Sequence, residues 1–285
     1  MFYAFCFKTM DKIIVNGEFF NPWDTLSCGQ IFRYKQFNNG YLVISQDKIC
    51  YVYEQDNNVV IETENGDYFY EFFDLSTDYK TIVNFALCYN NKTLSRAASL
   101  GKGIRILKQD PFEMLFTFIV SQNNNIKRIT STIEKLCEKV GSKLSSPFGD
   151  YFAFPTATQM SLLNEKDYKD LGFGYRGRYF IELLAEINSG FNVYALASLS
   201  DEGLQNALTS LVGVGEKVAS CVRLFGFYRT SAFPVDTWIE KIYREDFFGT
   251  LKDRKKITLW FEGQFGLYSG YIQQYLFHFK RLENN

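Results

Sequence analysis

The chain has 285 residues, of which 46% are hydrophobic and 18% aromatic, and its formal net charge at pH 7 is −1. This composition supplies a sizeable core and argues against disorder, and the near-neutral charge excludes a strongly basic nucleic-acid coat. Any anion site must therefore be a local cluster. The single histidine, His278, has no second histidine beside it for a zinc site, and Ser/His/Asp or Cys/His catalysis would have to run through it.

Six cysteines are scattered along the chain without a Cys-x-x-Cys pair, which disfavours an iron–sulfur cluster or a zinc finger and is typical of thiols in a reducing compartment. No apolar run reaches the length of a membrane span, and the opening segment 1–7 is too short for the apolar core of a signal peptide. We therefore expect a soluble intracellular monomer without membrane contact, in the cytoplasm or nucleoid of a bacterium or the nucleus of a eukaryote. The cysteines are Cys6, Cys28, Cys50, Cys88, Cys137 and Cys221.

Between residues 31 and 75 the sequence has the pattern of a β-sheet. Short runs of β-branched and aromatic residues alternate with turns that contain Asn and Gly, at 38–40, 56–58 and 65–66. This alternation predicts an N-terminal antiparallel sheet. The predicted strands include residues 41–44, 49–53, 59–61 and 68–70.

The second part of the chain has helical spacing instead. Pro111 directly after Asp110 is a typical helix start, and from Ile126 onward isoleucines and leucines recur at three- and four-residue steps. The sequence therefore predicts an α+β protein, with a β-rich domain over residues 1–98 and a mostly helical domain over residues 99–285.

The stretch 211–219, Leu-Val-Gly-Val-Gly-Glu-Lys-Val-Ala, is the most informative motif. Gly213 and Gly215 allow a tight turn, and the free N–H groups of a following helix can hold a phosphate, which fits a helix-hairpin-helix. The alternative is an ordinary glycine turn between two core helices. Further along, Asp236 ends a Phe-Pro-Val-Asp sequence before an apolar-periodic segment, where an aspartate is most often a helix N-cap.

Taken together, the hairpin, Lys217 and the Pro-Val-Asp sequence resemble the helix-hairpin-helix, Gly/Pro–Asp superfamily of DNA glycosylases. Four further segments resemble the eukaryotic-type 8-oxoguanine DNA N-glycosylase/AP lyase, and all follow in order over nearly the whole chain. The resemblance implies a TATA-binding-protein-like N-terminal sheet in front of a helical glycosylase domain. The segments are 28–33, Cys-Gly-Gln-Ile-Phe-Arg; 103–126, from Gly-Ile-Arg-Ile-Leu-Lys-Gln-Asp-Pro to Ser-Gln-Asn-Asn-Asn-Ile; 171–176, Leu-Gly-Phe-Gly-Tyr-Arg; and 270–277, from Gly-Tyr-Ile-Gln to Phe.

The resemblance implies that the target nucleotide is extruded from the duplex, because a stacked base hides its glycosidic bond. Lys217 would attack C1′, displace the base and form a Schiff base with the sugar, after which β-elimination nicks the strand. A lysine is nucleophilic only as the neutral amine, which burial at a helix N-terminus favours. Asp236 would stabilise positive charge on the sugar while it caps its helix. No cofactor is expected for this reaction, and outside this context Lys217 would be a solvated charge.

The resemblance also implies a pocket for the base. The carbonyl of Gly29 would accept the N7–H that 8-oxoguanine has and guanine lacks, since the wrong base would leave buried polar groups unpaired. Phe277 and Cys221 would sandwich the ring, and Gln273 would read its Watson–Crick edge. Phe277 would otherwise be a core residue on an apolar helix face.

Further residues would contact the DNA. Asn123 would fill the gap left by the extruded base. Arg128, Tyr175 and Arg176 would contact the unpaired cytosine, with Tyr175 as a wedge at the kink. The expected partner is therefore double-stranded DNA with 8-oxoguanine, preferably opposite cytosine. Without the resemblance, residues 123–125 are a polar connecting loop and Arg128 is a solvated charge.

The hairpin has two further implied roles. Gly213 and Gly215 would lie against the DNA backbone. The main-chain carbonyls of Thr209, Leu211 and Val214 would hold a structural monovalent cation that bridges to a phosphate, although no side-chain ligand marks this site.

Two positions depart from the animal members of the family. This chain has Trp238 where they have a phosphate-contacting histidine, and Lys280 where they have an aspartate. We expect Trp238 to take part in DNA binding, and we hypothesise that the two positions changed together. The residues of the reaction centre do not depart from the family pattern.

Three alternatives stay open at this point. A related glycosylase for another oxidised or alkylated base would not differ visibly in sequence, so that only a substrate panel separates the two. A non-catalytic DNA-binding or lesion-sensing module would have no need of Lys217 and Asp236 at this spacing. A Schiff-base aldolase would place its lysine at the end of a barrel strand, and the chain shows no alternation of strands and helices.

Overall fold

The computed structural model describes residues 9–283. Cys6 and the segment 1–7, on which the signal-peptide argument rests, lie outside the described residues. The strands are β1 (Asp11–Asn16), β2 (Tyr34–Phe37), β3 (Gly40–Ser45), β4 (Lys48–Gln55), β5 (Asn58–Thr63), β6 (Lys143–Ser146) and β7 (Gly149–Phe152). The α-helices are α1 (Pro22–Ser27), α2 (Gly66–Phe72), α3 (Tyr79–Cys88), α4 (Lys92–Gly101), α5 (Pro111–Ser121), α6 (Ile126–Val140), α7 (Ala157–Met160), α8 (Glu165–Asp170), α9 (Arg176–Asn188), α10 (Asp201–Thr209), α11 (Glu216–Phe225), α12 (Thr237–Glu245), α13 (Arg254–Phe265) and α14 (Ser269–Glu283). Short 3₁₀ helices cover Gly17–Phe19, Val193–Ser198 and Gly266–Tyr268.

The first five strands form one antiparallel sheet in the order β1-β5-β4-β3-β2. Strands β2 to β5 follow one another as hairpins, and β1 joins the sheet beside β5. Val43, Val52 and Ile61 project from one face of the sheet and pack with Phe69 of α2 in a small buried core. This arrangement confirms the predicted antiparallel N-terminal domain and the helical domain that follows it.

One predicted strand is a helix. Residues 68–70 lie in α2, and Asn65, which was predicted as part of a turn between strands, precedes the first residue of that helix. Phe69 and Phe72 are the buried residues of α2, and a three-residue spacing places both on one face of a helix. A short aromatic run does not distinguish a strand from a helix, so the prediction was wrong here.

The larger core joins the beginning and the end of the helical region. It includes buried residues of α3 and α4 together with those of α14. α4 lies directly against α14, where a Cβ at Gly101 would be 3.0 Å from Cδ1 of Tyr275. The domain boundary predicted at residue 98 falls inside α4.

The hairpin of β6 and β7 was not among the predicted elements. Its strands are short, and most of their residues are exposed or half-buried. Such strands lack the apolar alternation from which a strand is predicted.

Side-chain caps fix the beginnings of α5 and α6. Oδ1 of Asp110 accepts the N–H of Glu113 at 2.8 Å and Pro111 is the first residue of α5, as the Asp-Pro sequence predicts. Oδ1 of Asn125 caps α6 by accepting the N–H of Arg128 at 3.0 Å. Asn125 is the last residue of the loop 122–125 between the two helices and therefore anchors the C-terminal end of that loop.

Within residues 9–283 no helix combines the length and the apolarity that crossing a bilayer requires. The cysteines in this range are free thiols, and all of them except Cys88 are buried.

Candidate active site

A cleft of about 950 Å³ lies between the loop after α1, the loop 122–125, the N-termini of α11 and α12, and α14. Residues that are distant in sequence meet on its wall, as expected for a site assembled by the fold. The predicted site residues that line it are Gly29, Asn123, Gly215, Lys217, Asp236, Trp238 and Phe277.

Lys217 reaches the cleft because of the turn that precedes it. Gly215 is the N-cap residue of α11, so Lys217 lies in the first turn of that helix. Gly213 has φ +74°, and a Cβ there would be 2.6 Å from the ring of Tyr179, so this position requires glycine. The Nζ of Lys217 lies 5.5 Å from the centre of the Phe118 ring, which gives the amine a partly apolar surrounding.

Asp236 also lines the cleft, where it caps α12. Its Oδ1 accepts the N–H of Ile239 at 2.9 Å, which confirms that this residue is an N-cap. Burial raises the pKa of the Asp236 carboxyl above its ordinary value, while the helix N–H groups and the positive charges of Lys217 and Arg254 oppose that shift. The carboxylate is therefore a partly desolvated negative charge close to the lysine.

Gly29 and Phe277 form another part of the wall. Gly29 has φ +87°, and a Cβ at this position would lie 3.4 Å from Cε1 of Phe277. The half-buried Phe277 ring thus lies against the main chain of Gly29.

Two residues predicted for the base pocket lie behind this surface. Among the described residues, Cys221 and Gln273 are not part of the cleft wall, and both are buried. Burial raises the pKa of the Cys221 thiol, and the hydrogen bond and positive charge of Lys217 oppose the shift, so the thiol is next to the amine. The Oε1 of Gln273 accepts a hydrogen bond from Nε2 of Gln274 at 2.8 Å.

The residues predicted to fill the gap in the duplex or to contact the unpaired cytosine differ in exposure. Asn123 is exposed at φ +45°, and Arg128 is exposed at the start of α6. Tyr175 is 54% exposed, and the guanidinium of Arg176 lies 4.5 Å from the centre of its ring. Arg176 itself is only 6% exposed and donates to the carbonyls of Gln122 and Asn123, so it contacts the protein rather than the cleft.

The hairpin carbonyls predicted for a cation lie between α10 and α11. The carbonyl of Leu211 accepts the N–H of Val214 at 3.1 Å and keeps one lone pair for another partner. Thr209 is the last residue of α10, and Val214 directly precedes Gly215, the N-cap of α11. Neutral main-chain oxygens of this kind suit a hard cation.

Of the two departures from the family pattern, Trp238 is half-buried in the cleft wall. Lys280 lies on α14 with its Nζ 3.4 Å from Glu283 and 3.8 Å from Glu245 of α12. Lys280 thereby forms ion pairs within its own helix and across to α12.

Two arginines that sequence reasoning missed, Arg254 and Arg281, also line the cleft. The Nε of Arg254 donates to Glu240 at 2.8 Å, and Nη1 of Arg281 donates to the carbonyl of Ser27 at 2.6 Å. No motif marks either residue. They supply the local positive charge that an anion site needs on a nearly neutral protein.

The single histidine, His278, is not among the residues that line the cleft. It is buried, with Nε2 3.6 Å from Oδ1 of Asp24, and burial lowers its pKa. Within the described residues no three His, Cys, Asp or Glu side chains group as metal ligands would.

Comparisons with known proteins cover most of the chain. Residues 12–115 match the family described as the 8-oxoguanine DNA glycosylase N-terminal domain, and residues 116–261 match the HhH-GPD superfamily base excision DNA repair proteins. The N-glycosylase/DNA lyase of Saccharomyces cerevisiae is 30% identical over 267 residues, which are 83% of this chain and 70% of that protein. The N-glycosylase/DNA lyase OGG1 of Arabidopsis thaliana is 35% identical over 190 residues, 62% of this chain and about half (52%) of that protein.

A solved structure is similar over the whole fold. The Clostridium acetobutylicum 8-oxoguanine glycosylase/lyase, in complex with dsDNA containing cytosine opposite 8-oxoG, superposes with a TM-score of 0.90 and 35% identity, covering 97% of this chain and 99% of that one. These matches confirm the resemblance inferred from the motifs. The chain belongs to the 8-oxoguanine DNA glycosylase/lyase family within the helix-hairpin-helix Gly/Pro–Asp superfamily of base-excision repair proteins.

Proposed function

We propose that this chain excises 8-oxoguanine from duplex DNA and then nicks the strand at the resulting site. The observation that carries the proposal is that Lys217, Asp236, Gly29 and Phe277 line the same cleft. A nucleophile, a charge-stabilising carboxylate and an aromatic ring on which a base can stack are parts that such a reaction requires. The relatives named N-glycosylase/DNA lyase support the same class of chemistry.

The first step breaks the glycosidic bond. The neutral amine of Lys217 attacks C1′ of the extruded nucleotide, and the C1′–N9 bond breaks with its electron pair leaving on the base. The Asp236 carboxylate stabilises the positive charge that develops on the sugar. Loss of a proton from the nitrogen and opening of the sugar ring then give a Schiff base between Lys217 and C1′.

The second step nicks the strand. The protonated Schiff base withdraws electrons from C1′ and acidifies the proton on C2′. Transfer of that proton to water forms a C2′–C3′ double bond conjugated with the Schiff base and breaks the C3′–O bond, so that the 3′ phosphate leaves with the electron pair of that bond. Water then hydrolyses the Schiff base and releases Lys217.

Recognition of the lesion rests on one additional donor. 8-Oxoguanine carries an N7–H that guanine lacks, and the carbonyl of Gly29 accepts it in our proposal. Phe277 stacks on the ring. Cys221 and Gln273, which are buried behind the cleft wall in this structure, would contact the other face and the Watson–Crick edge once the nucleotide has entered and the wall has adjusted. Guanine in the same place would leave the Gly29 carbonyl unpaired, which disfavours its binding.

The proposed partner is duplex DNA with cytosine opposite the lesion. Asn123 fills the vacated position in the helix, while Arg128 and Tyr175 contact the unpaired cytosine. Their exposure beside the cleft supports these roles, as does the DNA-bound Clostridium acetobutylicum relative.

The hairpin and the neighbouring Trp238 complete the proposed contacts with the DNA backbone. The free N–H groups that follow Gly213 and Gly215 hold a phosphate. A monovalent cation on the carbonyls of Thr209, Leu211 and Val214 would reinforce that contact.

Borohydride trapping tests the proposal. The protein is incubated with duplexes that carry 8-oxoguanine opposite each of the four bases, and borohydride reduces any Schiff base to a stable adduct. We expect a covalent adduct, strongest opposite cytosine and absent with Lys217→Gln. Lys166→Gln is the control, because Lys166 is an exposed lysine on α8 that pairs with Asp170.

Each outcome decides between the alternatives. Equal trapping by Lys217→Gln would contradict the assignment of the nucleophile. Tight binding to the lesion without an adduct or a nick would indicate a lesion-sensing module. Faster processing of another oxidised or alkylated base than of 8-oxoguanine would assign that other base as the substrate.

A further inference from the structure

The loop 122–125 holds the exposed Asn123 in an unusual backbone conformation. Asn123 has φ +45°, in the left-handed region that asparagine tolerates better than most residues. The residues that flank it are tied down: Nδ2 of Asn124 donates to the carbonyl of Val120 at 3.1 Å, and Asn125 caps α6. Asn123 therefore projects from a loop whose other members are fixed.

Arg176 holds this loop from the side of α9. Its Nε donates to the carbonyl of Gln122 at 3.1 Å, and Nη2 donates to the carbonyls of Gln122 and Asn123. The guanidinium is buried, so these bonds are protected from water. Arg176 thus holds the carbonyls of the two peptide groups that flank the Asn123 side chain.

Gln122 ties the same loop to the hairpin. Its Nε2 donates to the carbonyl of Gly213 at 2.8 Å and to the carbonyl of Ile119 at 3.1 Å. Gly213 is the hairpin residue whose positive φ and contact with Tyr179 exclude any side chain. Gln122 directly precedes Asn123, and its side-chain amide therefore connects the loop to a rigid turn of the hairpin.

These contacts join two surfaces that face the DNA in different ways. The hairpin would bind the backbone, whereas Asn123 would enter the base stack. We propose that Gln122 is a positioning residue that sets the place of Asn123 relative to the DNA-bound hairpin, and so promotes extrusion of the damaged nucleotide. This inference rests on the proposed function, because it assumes that the substrate is a base in a duplex.

The experiment compares two substrates. One is a duplex with 8-oxoguanine opposite cytosine, and the other carries the lesion in an unpaired bubble, where extrusion needs little help. Gln122→Met keeps the length of the side chain and removes the donor, which leaves the Gly213 carbonyl without this partner. We expect excision from the duplex to slow about tenfold, with little change on the bubble. Gln36→Met, at an exposed position of β2, is the control.

A double-mutant cycle tests whether Gln122 acts through Asn123. In an Asn123→Ala background the further change Gln122→Met should have almost no effect on the duplex rate. Gln122→Glu, which also removes the donor at the same length, provides a second variant if Gln122→Met does not fold. Additive effects with Asn123→Ala would contradict the proposal, as would an equal loss on both substrates or an unchanged duplex rate.

Extrusion can also be followed without bond cleavage. The fluorescence of 2-aminopurine placed beside the lesion rises when the neighbouring base leaves the stack. We expect a slower rise with Gln122→Met than with the unaltered protein. If the unaltered protein extrudes the lesion but forms no adduct, the proposed chemistry fails, and the fluorescence still measures the role of Gln122. An identical rise in fluorescence with both proteins would overturn that role.

Discussion

Oδ1 of Asp236 accepts the main-chain N–H of Ile239 at 2.9 Å, so the same carboxylate that faces the cleft also begins α12. The two tasks have different chemical requirements. A helix cap needs only an acceptor oxygen, whereas stabilising a positively charged sugar needs an ionised carboxylate. A substitution that keeps the oxygen and removes the charge therefore separates them.

Asp236→Asn is such a substitution, since asparagine caps helices as well as aspartate does. We expect the free energy of unfolding to change by less than about 1 kcal/mol. The single-turnover rate of excision should fall by about 10² to 10³, because a preorganised charge is lost from the reaction centre. Urea denaturation and quenched-flow kinetics measure the two quantities.

The matched control is Asp78→Asn, which alters the N-cap of α3, where Oδ1 accepts the N–H of Lys80 at 3.0 Å. It should change neither quantity appreciably. An Asp236→Asn protein that is folded and fully active would show that the carboxylate serves only as a cap.

The pH dependence of excision should reveal the burial of Asp236. In the proposed mechanism activity requires the ionised carboxylate and is lost as the pH falls through its pKa, which burial raises above the usual aspartate value. The loss of the excision rate on the acid side of the pH profile (the acid limb) should therefore begin at a higher pH than an ordinary aspartate would give. Arg254→Gln removes a charge that lowers this pKa, so the limb should move to still higher pH. Single-turnover rates across the acid range measure it.

Lys256→Gln is the control for this shift, since Lys256 is an exposed cation of α13 close in sequence to Arg254. Its acid limb should coincide with that of the unaltered protein. A limb that moves to lower pH in Arg254→Gln would mean that another group governs it.

The parts of the site that were predictable are set by local chemistry. Gly213 marks the hairpin because its turn needs a left-handed residue, and Asp236 and Asp110 mark helix starts because each caps a main-chain N–H three residues on. Such requirements act within a few residues. They can therefore be recognised in the sequence itself.

The features that could not be predicted depend on distant contacts. Arg281 lines the cleft only because α14 packs back against the loop after α1, where it reaches the carbonyl of Ser27. Arg176 resembles a DNA-contacting arginine in sequence, and only the fold shows its guanidinium on the loop carbonyls. The helical Phe69 was missed for a related reason, since burial rather than propensity decides such a short segment.

The two glycines of the hairpin should respond differently to alanine. At Gly213 a Cβ would meet the Tyr179 ring at 2.6 Å and the backbone has φ +74°, so Gly213→Ala should lower the free energy of unfolding by about 2 to 4 kcal/mol. At Gly215 a Cβ meets nothing within 4 Å, so Gly215→Ala should cost less than about 1 kcal/mol. Urea denaturation of both variants checks this, and equal losses would contradict the steric explanation.

The proposed preference for cytosine should depend on one of two adjacent cations. Lys127 and Arg128 are both exposed in the first turn of α6, and both side chains can attract a phosphate, but only the guanidinium offers two parallel donors to a base edge. Arg128→Ala should reduce the ratio of excision rates opposite cytosine and adenine by about ten- to a hundredfold, because a paired contact to a base contributes about 1–3 kcal/mol. Lys127→Ala should weaken binding to all four duplexes alike and leave the ratio unchanged. Single-turnover rates on the four duplexes measure both effects, and an unchanged ratio in Arg128→Ala would assign the preference to other residues.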